Sequence, residues 1–243
     1  MSGPPFPRAV VTGANRGLGL EFVRQLLAAG THVVAGCRRP GEATALNRLA
    51  GDLPGHLHVL PLDIADARSR QAFATEAAGL HEGLELLVNN AGVLHSGERF
   101  GALEEKVLTH SLATNAVGPW LLTEALAPLL ARGGWTPDEK ARVLNISSEM
   151  GAMTTLAREL RAPSYRISKA ALNMAGVLMA RALNPQGIGV ITVHPGWVRT
   201  DMGGDGASVP PDAAVRDLLA VATGGRALPA GEFVDAQGHP LPW

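Results

Sequence analysis

The chain predicts an α/β protein, a doubly wound parallel sheet covered by helices on both faces. Three observations lead there. Short apolar runs alternate with stretches of helical period along the whole sequence. A glycine-rich turn, TGANRGLG at 12–19, joins the first apolar run directly to the first helical stretch. No internal repeat occurs, and no stretch is rich enough in Pro, Gly or Ser to divide the 243 residues. One domain spanning 1–243, with a large core, is therefore expected. Right-handed crossovers then order the strands 3-2-1-4-5-6, with a last strand at the edge.

Along the chain, strands are expected at 8–12 (RAVVT), 32–36 (HVVAG), 57–61 (LHVLP), 85–89 (ELLVN), 142–147 (RVLNIS), 188–193 (IGVITV) and 231–234 (GEFV). Each is a short apolar run, most of them built on Val, Ile or Leu. Helices fit at 18–29, 41–50, 66–80, 101–131, 165–183 and 211–222. The first continues LEFVRQLLAAG, with apolar residues at helical spacing. The stretch at 101–131 is long for one helix, and a break is expected within it. Two segments fit no regular element. GGWTPDEK (133–140) reads as a solvated loop. EMGAMTTLARELRAP (149–163) lies between a strand end and the next helix, where α/β proteins place ligands.

Composition narrows the function classes. Hydrophobic residues are 46% and charged residues 18%, the profile of a compact soluble protein. A formal net charge of -1 leaves no electrostatic footprint for nucleic acid or an anionic membrane. No apolar run reaches the ~18 residues of a spanning helix. The opening MSGPPFPRAVVTG lacks the basic region, apolar stretch and cleavage site of a signal peptide, so a cytoplasmic location is expected. Cys37 is the only cysteine, which excludes an internal disulfide. The eight histidines include no HExxH pattern, and no metal site is expected.

The glycines of TGANRGLG have separate physical jobs. Gly13 permits the tight turn, Gly17 lets backbone approach a pyrophosphate, and Gly19 allows close helix–strand packing. The helix behind them presents unbonded N–H groups and its positive dipole end to phosphates. Such a turn can be merely a turn; the strand before it and the helix after it favour a nucleotide.

The second signal is Tyr165, the only tyrosine, with Lys169 four residues later. On a helix the phenol and ammonium share a face. A neighbouring cation favours phenolate and is expected to lower the phenol's pKa from about 10 towards neutrality. Such a group donates a proton to a carbonyl oxygen, or takes one from an alcohol. The alternative is an ordinary exposed pair.

TGxxxGxG followed far downstream by YxxxK resembles the short-chain dehydrogenase/reductase family. Further landmarks follow in order: Asn89-Asn90-Ala91-Gly92 after the fourth strand, Asn115 in TNAVG, Ser147-Ser148 in LNISS, and Pro195-Gly196 in HPGWVRTDM. The resemblance covers essentially the whole chain. Within the family, HPGWVRTDMGG and GEFVDAQGHPLPW are most similar to C-factor-like and sniffer-like carbonyl reductases.

The resemblance implies a Rossmann fold of about seven strands and NADP(H)-dependent interconversion of a ketone or aldehyde with its alcohol. Tyr165 would be the general acid/base, with Lys169 holding the nicotinamide ribose and depressing the phenol's pKa. Ser148 would bind the substrate oxygen, Ser147 would be structural, and Asn115 would hold a water linking Lys169 to solvent. The cofactor-binding set would comprise Gly13, Asn15, Arg16, Gly17, Leu18 and Gly19 at the first turn, then Arg38, Asp63 and Ile64. Asn90, Ala91 and Gly92 would continue it, with Tyr165, Lys169, Pro195, Gly196, Val198 and Thr200. Asp63 equally suits capping of the helix that starts near Asp66.

NAD-selective members place a carboxylate at the end of the second strand, where this chain has Cys37. Arg38 and Arg39 follow, and Arg16 lies in the glycine turn, so NADP(H) is expected over NAD(H). Sixteen residues separate Ser148 from Tyr165, against about a dozen in the family. The excess is expected to bulge over the substrate, with Met150, Met153, Leu156, Trp197 and Met202 as an apolar lining. Arg158 and Arg161 are expected to be solvated. The family also implies a homodimer or homotetramer through 101–131 and 165–183. The rival readings are a nucleotide-sensing or developmental signalling protein with little turnover, and a sugar-nucleotide epimerase. Only 74 residues follow Lys169, too few for the epimerase's sugar domain.

Overall fold

The computed structural model describes residues 4–136, 139–154, 161–224 and 231–243. Seven parallel strands lie in the order β3-β2-β1-β4-β5-β6-β7. They are β1 (Arg8–Thr12), β2 (His32–Cys37), β3 (Leu57–Pro61), β4 (Leu86–Asn89), β5 (Ala141–Ile146), β6 (Ile188–Val193) and β7 (Phe233–Val234). The helices are α1 (Gly17–Ala28), α2 (Thr44–Asp52), α3 (Ala67–Leu80), α4 (Glu105–Leu112), α5 (Gly118–Leu130), α6 (Pro163–Leu183) and α7 (Pro211–Thr223). This is the doubly wound Rossmann-like sheet that the alternation of patterns predicts.

Successive residues of the central strands feed opposite layers, because side chains alternate across a sheet. Val11, Val33, Leu86, Val88 and Leu144 join the layer under α1, α2 and α7, with Phe22, Leu26, Leu46 and Leu218. Val10, Val34, Leu87 and Val143 join the layer under α3, α5 and α6, with Phe73, Leu122, Leu126 and Met179. Strands covered on both sides must be apolar throughout, which is why they show as uninterrupted runs. Each such Phe or Leu side chain contributes roughly 1.5–3 kcal/mol on burial.

The register places the chemistry. Val11 pairs with Val88, and Asn89 with Asn145. The carboxyl ends of β1, β4 and β5 therefore finish level, and the turns after them open on the same side. The break expected within 101–131 is a π-helical turn, Ala113–Val117, between α4 and α5, and Asn115 sits inside it. Single π-turns recur at functional sites because they displace a side chain from the regular helical face. Residues 101–104 lie outside helix, whereas α6 begins earlier than expected, with Pro163 at its first position. Proline is pre-formed for that position and has no N–H to leave unpaired.

Candidate active site

The strand ends converge on one cleft of about 810 Å³. Its first wall is the turn after β1. Gly13 sits at φ 63, and a Cβ there would meet Ala91 Cα at 2.8 Å. A Cβ on Gly19 would collide with the Gly13 carbonyl oxygen. Gly19 thus packs against its own turn and Asn90, rather than against a strand. Asn15, Arg16, Gly17 and Leu18 line the cleft at the start of α1, whose first N–H groups have no acceptor within the helix. No side chain caps that end.

The turn after β4 forms the second wall. Asn90 Nδ2 donates to the carbonyls of Thr12 (2.8 Å) and Gly13 (3.2 Å), tying the two turns together. Thr12 Oγ1 accepts from the backbone N–H groups of Asn90 and Ala91, each at 3.0 Å. Asn115 secures Val93, two residues on: Oδ1 accepts from Val93 N at 2.8 Å, while Nδ2 donates to Val93 O and to Ser168 Oγ, both at 2.9 Å. Asn115 is fully buried and does not line the cleft itself.

At the far end, Cys37 is buried where β2 stops, with Arg38 and Arg39 exposed beside it. Arg39 pairs with Glu42 at 3.1 Å and Arg16 with Asp201 at 2.6 Å. Arg38 makes no ion pair among the described residues. Asp63 and Ile64 line the same end. Asp63 Oδ1 accepts from Ala65 N at 3.0 Å, but the cap of α3 is Asp66, which accepts from Ser69 N at 2.7 Å.

The third wall comes from β5, β6 and α6. Tyr165 and Lys169 face the cleft from α6 and are both buried. The Ser148 side chain lies close enough to the phenol to act against the rise in its pKa, but Ser148 itself does not line the cleft. Ser148 Oγ accepts from Met150 N at 3.1 Å, which leaves its own hydrogen free to donate. Ser147, which does line the cleft, donates to Asn173 Oδ1 at 2.5 Å. Pro195 and Thr200 line the cleft; Gly196 and Val198 do not. Val198 is occupied in a bridge to Val209.

One expectation reverses. Burial pushes the Tyr165 phenol up to about 12, partly offset by the Ser148 side chain. Lys169 Nζ lies 5.5 Å from the phenol ring centroid and donates to the Ile146 carbonyl at 2.7 Å. It is therefore aimed at backbone rather than at the phenol oxygen. Burial in turn pulls the Lys169 ammonium down to about 8. The i,i+4 spacing fixes a shared face; it fixes neither burial nor where Nζ points.

The sequence reading missed Glu42, His110, Thr114 and Asp201, all of which line the cleft. Thr114 directly precedes Asn115, and His110 lies one helical turn earlier, so that spacing was available. Glu42 and Asp201 left no such trace. The apolar lining is partly as expected: Met202 lines the cleft, while Met153 is 77% exposed and Trp197 57%. Leu156 and Arg158 lie outside the described residues.

Residues 7–208 match the short chain dehydrogenase family. The chain belongs to that family. It is 38% identical to C-signal of Myxococcus xanthus over 160 residues, 66% of this chain and 93% of that one. NADPH-bound carbonyl reductase from chicken fatty liver superposes with a TM-score of 0.92 at 35% identity, covering 98% of this chain and 99% of that one. Carbonyl reductase Sniffer of D. melanogaster gives 0.91 at 31% identity, with the same coverage. The chain is thus an oxidoreductase of the short-chain dehydrogenase type, a family that typically uses a nicotinamide cofactor. No helix among the described residues is long and apolar enough to cross a membrane.

The residues present fit such a cofactor. The glycine turn is a cradle that side chains would fill. The start of α1 leaves N–H groups for phosphate. Thr114 Oγ1, buried at the wall, has no hydrogen-bond partner among the described residues.

Proposed function

We propose that this protein is an NADP(H)-dependent carbonyl reductase that converts a ketone or aldehyde to its alcohol. The observation that carries the reading is the buried Tyr165 and Lys169 on the wall of the same cleft that the glycine turn lines, with the Ser148 side chain beside the phenol. Bound there, the reduced nicotinamide supplies hydride to the carbonyl carbon. Tyr165 delivers its proton to the carbonyl oxygen as negative charge develops, and Ser148 donates a hydrogen bond to the same oxygen. Lys169 holds the nicotinamide ribose and, once charge is present, favours phenolate. Asn115 fixes Val93 and Ser168 beside Lys169, the wall along which a water relay to that ammonium would run. Gly13 to Gly19 and Thr200 serve the pyrophosphate, and Asp63 with Ile64 the adenine. A single nucleotide-binding domain in a cytoplasmic setting belongs to the same proposal.

The choice of NADP(H) rests on charge. Cys37 offers no acceptor for a ribose diol, the Glu42 carboxylate is held by Arg39, and Arg38 is left for a 2′-phosphate. Calorimetry of Arg38→Asp is expected to show NADPH binding weakened roughly thirtyfold, about 2 kcal/mol, with NADH unchanged or improved. Equal affinity of the wild type for the two nucleotides would overturn the choice.

A homodimer or homotetramer is also proposed. Ile167, Met174 and Leu178 stand exposed along α6, and Val117 and Leu121 beside and on α5. These apolar residues support packing of α5 and α6 against a second copy. Residues covering the sheet are different ones, Leu172, Gly176, Met179 and Leu183. Light scattering at micromolar concentration should give at least twice the 25.3 kDa chain mass. A monomer would refute the assembly and leave the catalytic assignment intact. The likeness to C-signal supports one other reading, a nucleotide-responsive signalling protein with little turnover.

A further inference from the structure

Helix α6 begins without a cap of its own. Ala162 precedes it at φ 52, in the left-handed region, and no side chain there caps the helix. The acceptor comes from a distant loop. Glu98 takes the Ser164 N–H on Oε2 at 2.8 Å and the Ser164 hydroxyl on Oε1 at 2.7 Å. Ser164 is fully buried, and its Oγ lies 2.9 Å from Ser111 Oγ on α4. One carboxylate thus does the work of an N-cap across 66 residues of sequence. Its charge sits at the positive end of a 21-residue helix. The next residue is Tyr165.

The loop carrying Glu98 is held at its other end too. Val93 is bonded through both backbone groups by Asn115, and His95 Nε2 lies 3.2 Å from His110 Nδ1. The segment from Val93 to Glu98 therefore runs from the cleft wall to the start of α6, fixed at three points.

We propose that Glu98 is a positioning residue: it clamps the first turn of α6 to the loop after β4 and thereby sets the place and dryness of the Tyr165 phenol. The inference rests on Tyr165 being the acid. Without the carboxylate, the buried Ser164 N–H loses its acceptor, the hydroxyl is left with Ser111 Oγ alone, and the first turn frays. Water then reaches the phenol, and the desolvation that holds its pKa up is relieved. That change favours phenolate.

Because Tyr165 is the only tyrosine, phenolate absorbance after a rapid pH jump reads this one group before alkaline unfolding. In Glu98→Ala the titration midpoint should fall by about one pH unit. The kcat for carbonyl reduction should fall about tenfold, while the NADPH dissociation constant stays within about threefold. Glu98→Gln, which keeps the shape and one acceptor, should fall between the two and carries the test if the alanine variant does not fold. A folded variant with unchanged midpoint and unchanged kcat would overturn the clamp. Absence of any reductase activity in the wild type would sink the functional reading, whereas the phenolate shift would still decide the clamp.

Discussion

Tyr165→Phe should reduce carbonyl reduction by about 10²–10⁴-fold, the range that a positioned general acid supplies. NADPH binding should change by less than about threefold. Phenylalanine keeps the ring that fills this buried position and removes only the hydroxyl with its transferable proton. The pKa direction sharpens the expectation. A phenol pushed up to about 12 is fully protonated at neutral pH, so the free protein is poised to donate, as reduction requires. Running backwards as an alcohol dehydrogenase requires phenolate. Bringing the phenol from about 12 to ~7 needs ~7 kcal/mol of preferential stabilisation, against ~4 from an unperturbed tyrosine. Reduction should therefore be fast at neutral pH, and alcohol oxidation should rise steeply as pH is raised. Steady-state rates in both directions check the first claim, and calorimetry checks the second. Substantial remaining kcat in the variant would remove Tyr165 from the role of acid.

Lys169→Met should damage two properties at once, because Lys169 has two proposed tasks. The NADPH dissociation constant should rise about tenfold or more, the loss of a charge-assisted hydrogen bond worth roughly 1.5–3 kcal/mol. The kcat should fall about a hundredfold as the cation that favours phenolate is removed. Methionine keeps the unbranched apolar stem of the buried lysine, so the loss is chiefly that of the charged, hydrogen-bonding end rather than of packing. The same residue gives the wild type a pH signature. An ammonium pulled down to about 8 is mostly charged at pH 7 and neutral well above 8. Cofactor affinity should therefore weaken as pH rises through about 8, and the methionine variant should lack that inflection. Unchanged NADPH binding in Lys169→Met would detach this residue from the ribose.

The inner strands were legible because they are covered on both faces. RAVVT and IGVITV gave β1 and β6 with the same boundaries, since an uninterrupted apolar run ends where the cover ends; LHVLP also gave β3, an edge strand in which only Leu57 is buried. The edge strand β7 keeps only Phe233–Val234 of the expected four residues. The residues of the glycine turn and of YxxxK were legible from spacing. Directions and long-range pairings were not. Four residues on a helix say that Tyr165 and Lys169 share a face, but not that Nζ turns to Ile146. The Glu98–Ser164 and His95–His110 contacts and the Arg16–Asp201 pair join segments 66, 15 and 185 residues apart. Such contacts leave no period in the sequence. The break around Asn115 could be anticipated from the length of 101–131, whereas its form, a π-turn that seats Asn115 between Val93 and Ser168, required the packed neighbours.

Hydride transfer is the claim on which the rest depends, and isotope transfer tests it most directly. The purified protein should be incubated with a panel of ketones and aldehydes and with NADPH carrying deuterium at both positions of nicotinamide C4. Mass spectrometry of the products should then find a carbinol carbon bearing one deuterium, formed by the wild type and nearly absent with Tyr165→Phe. NADPH that binds in the cleft yet delivers deuterium to no carbonyl of the panel would contradict the account and favour a nucleotide-responsive protein without turnover.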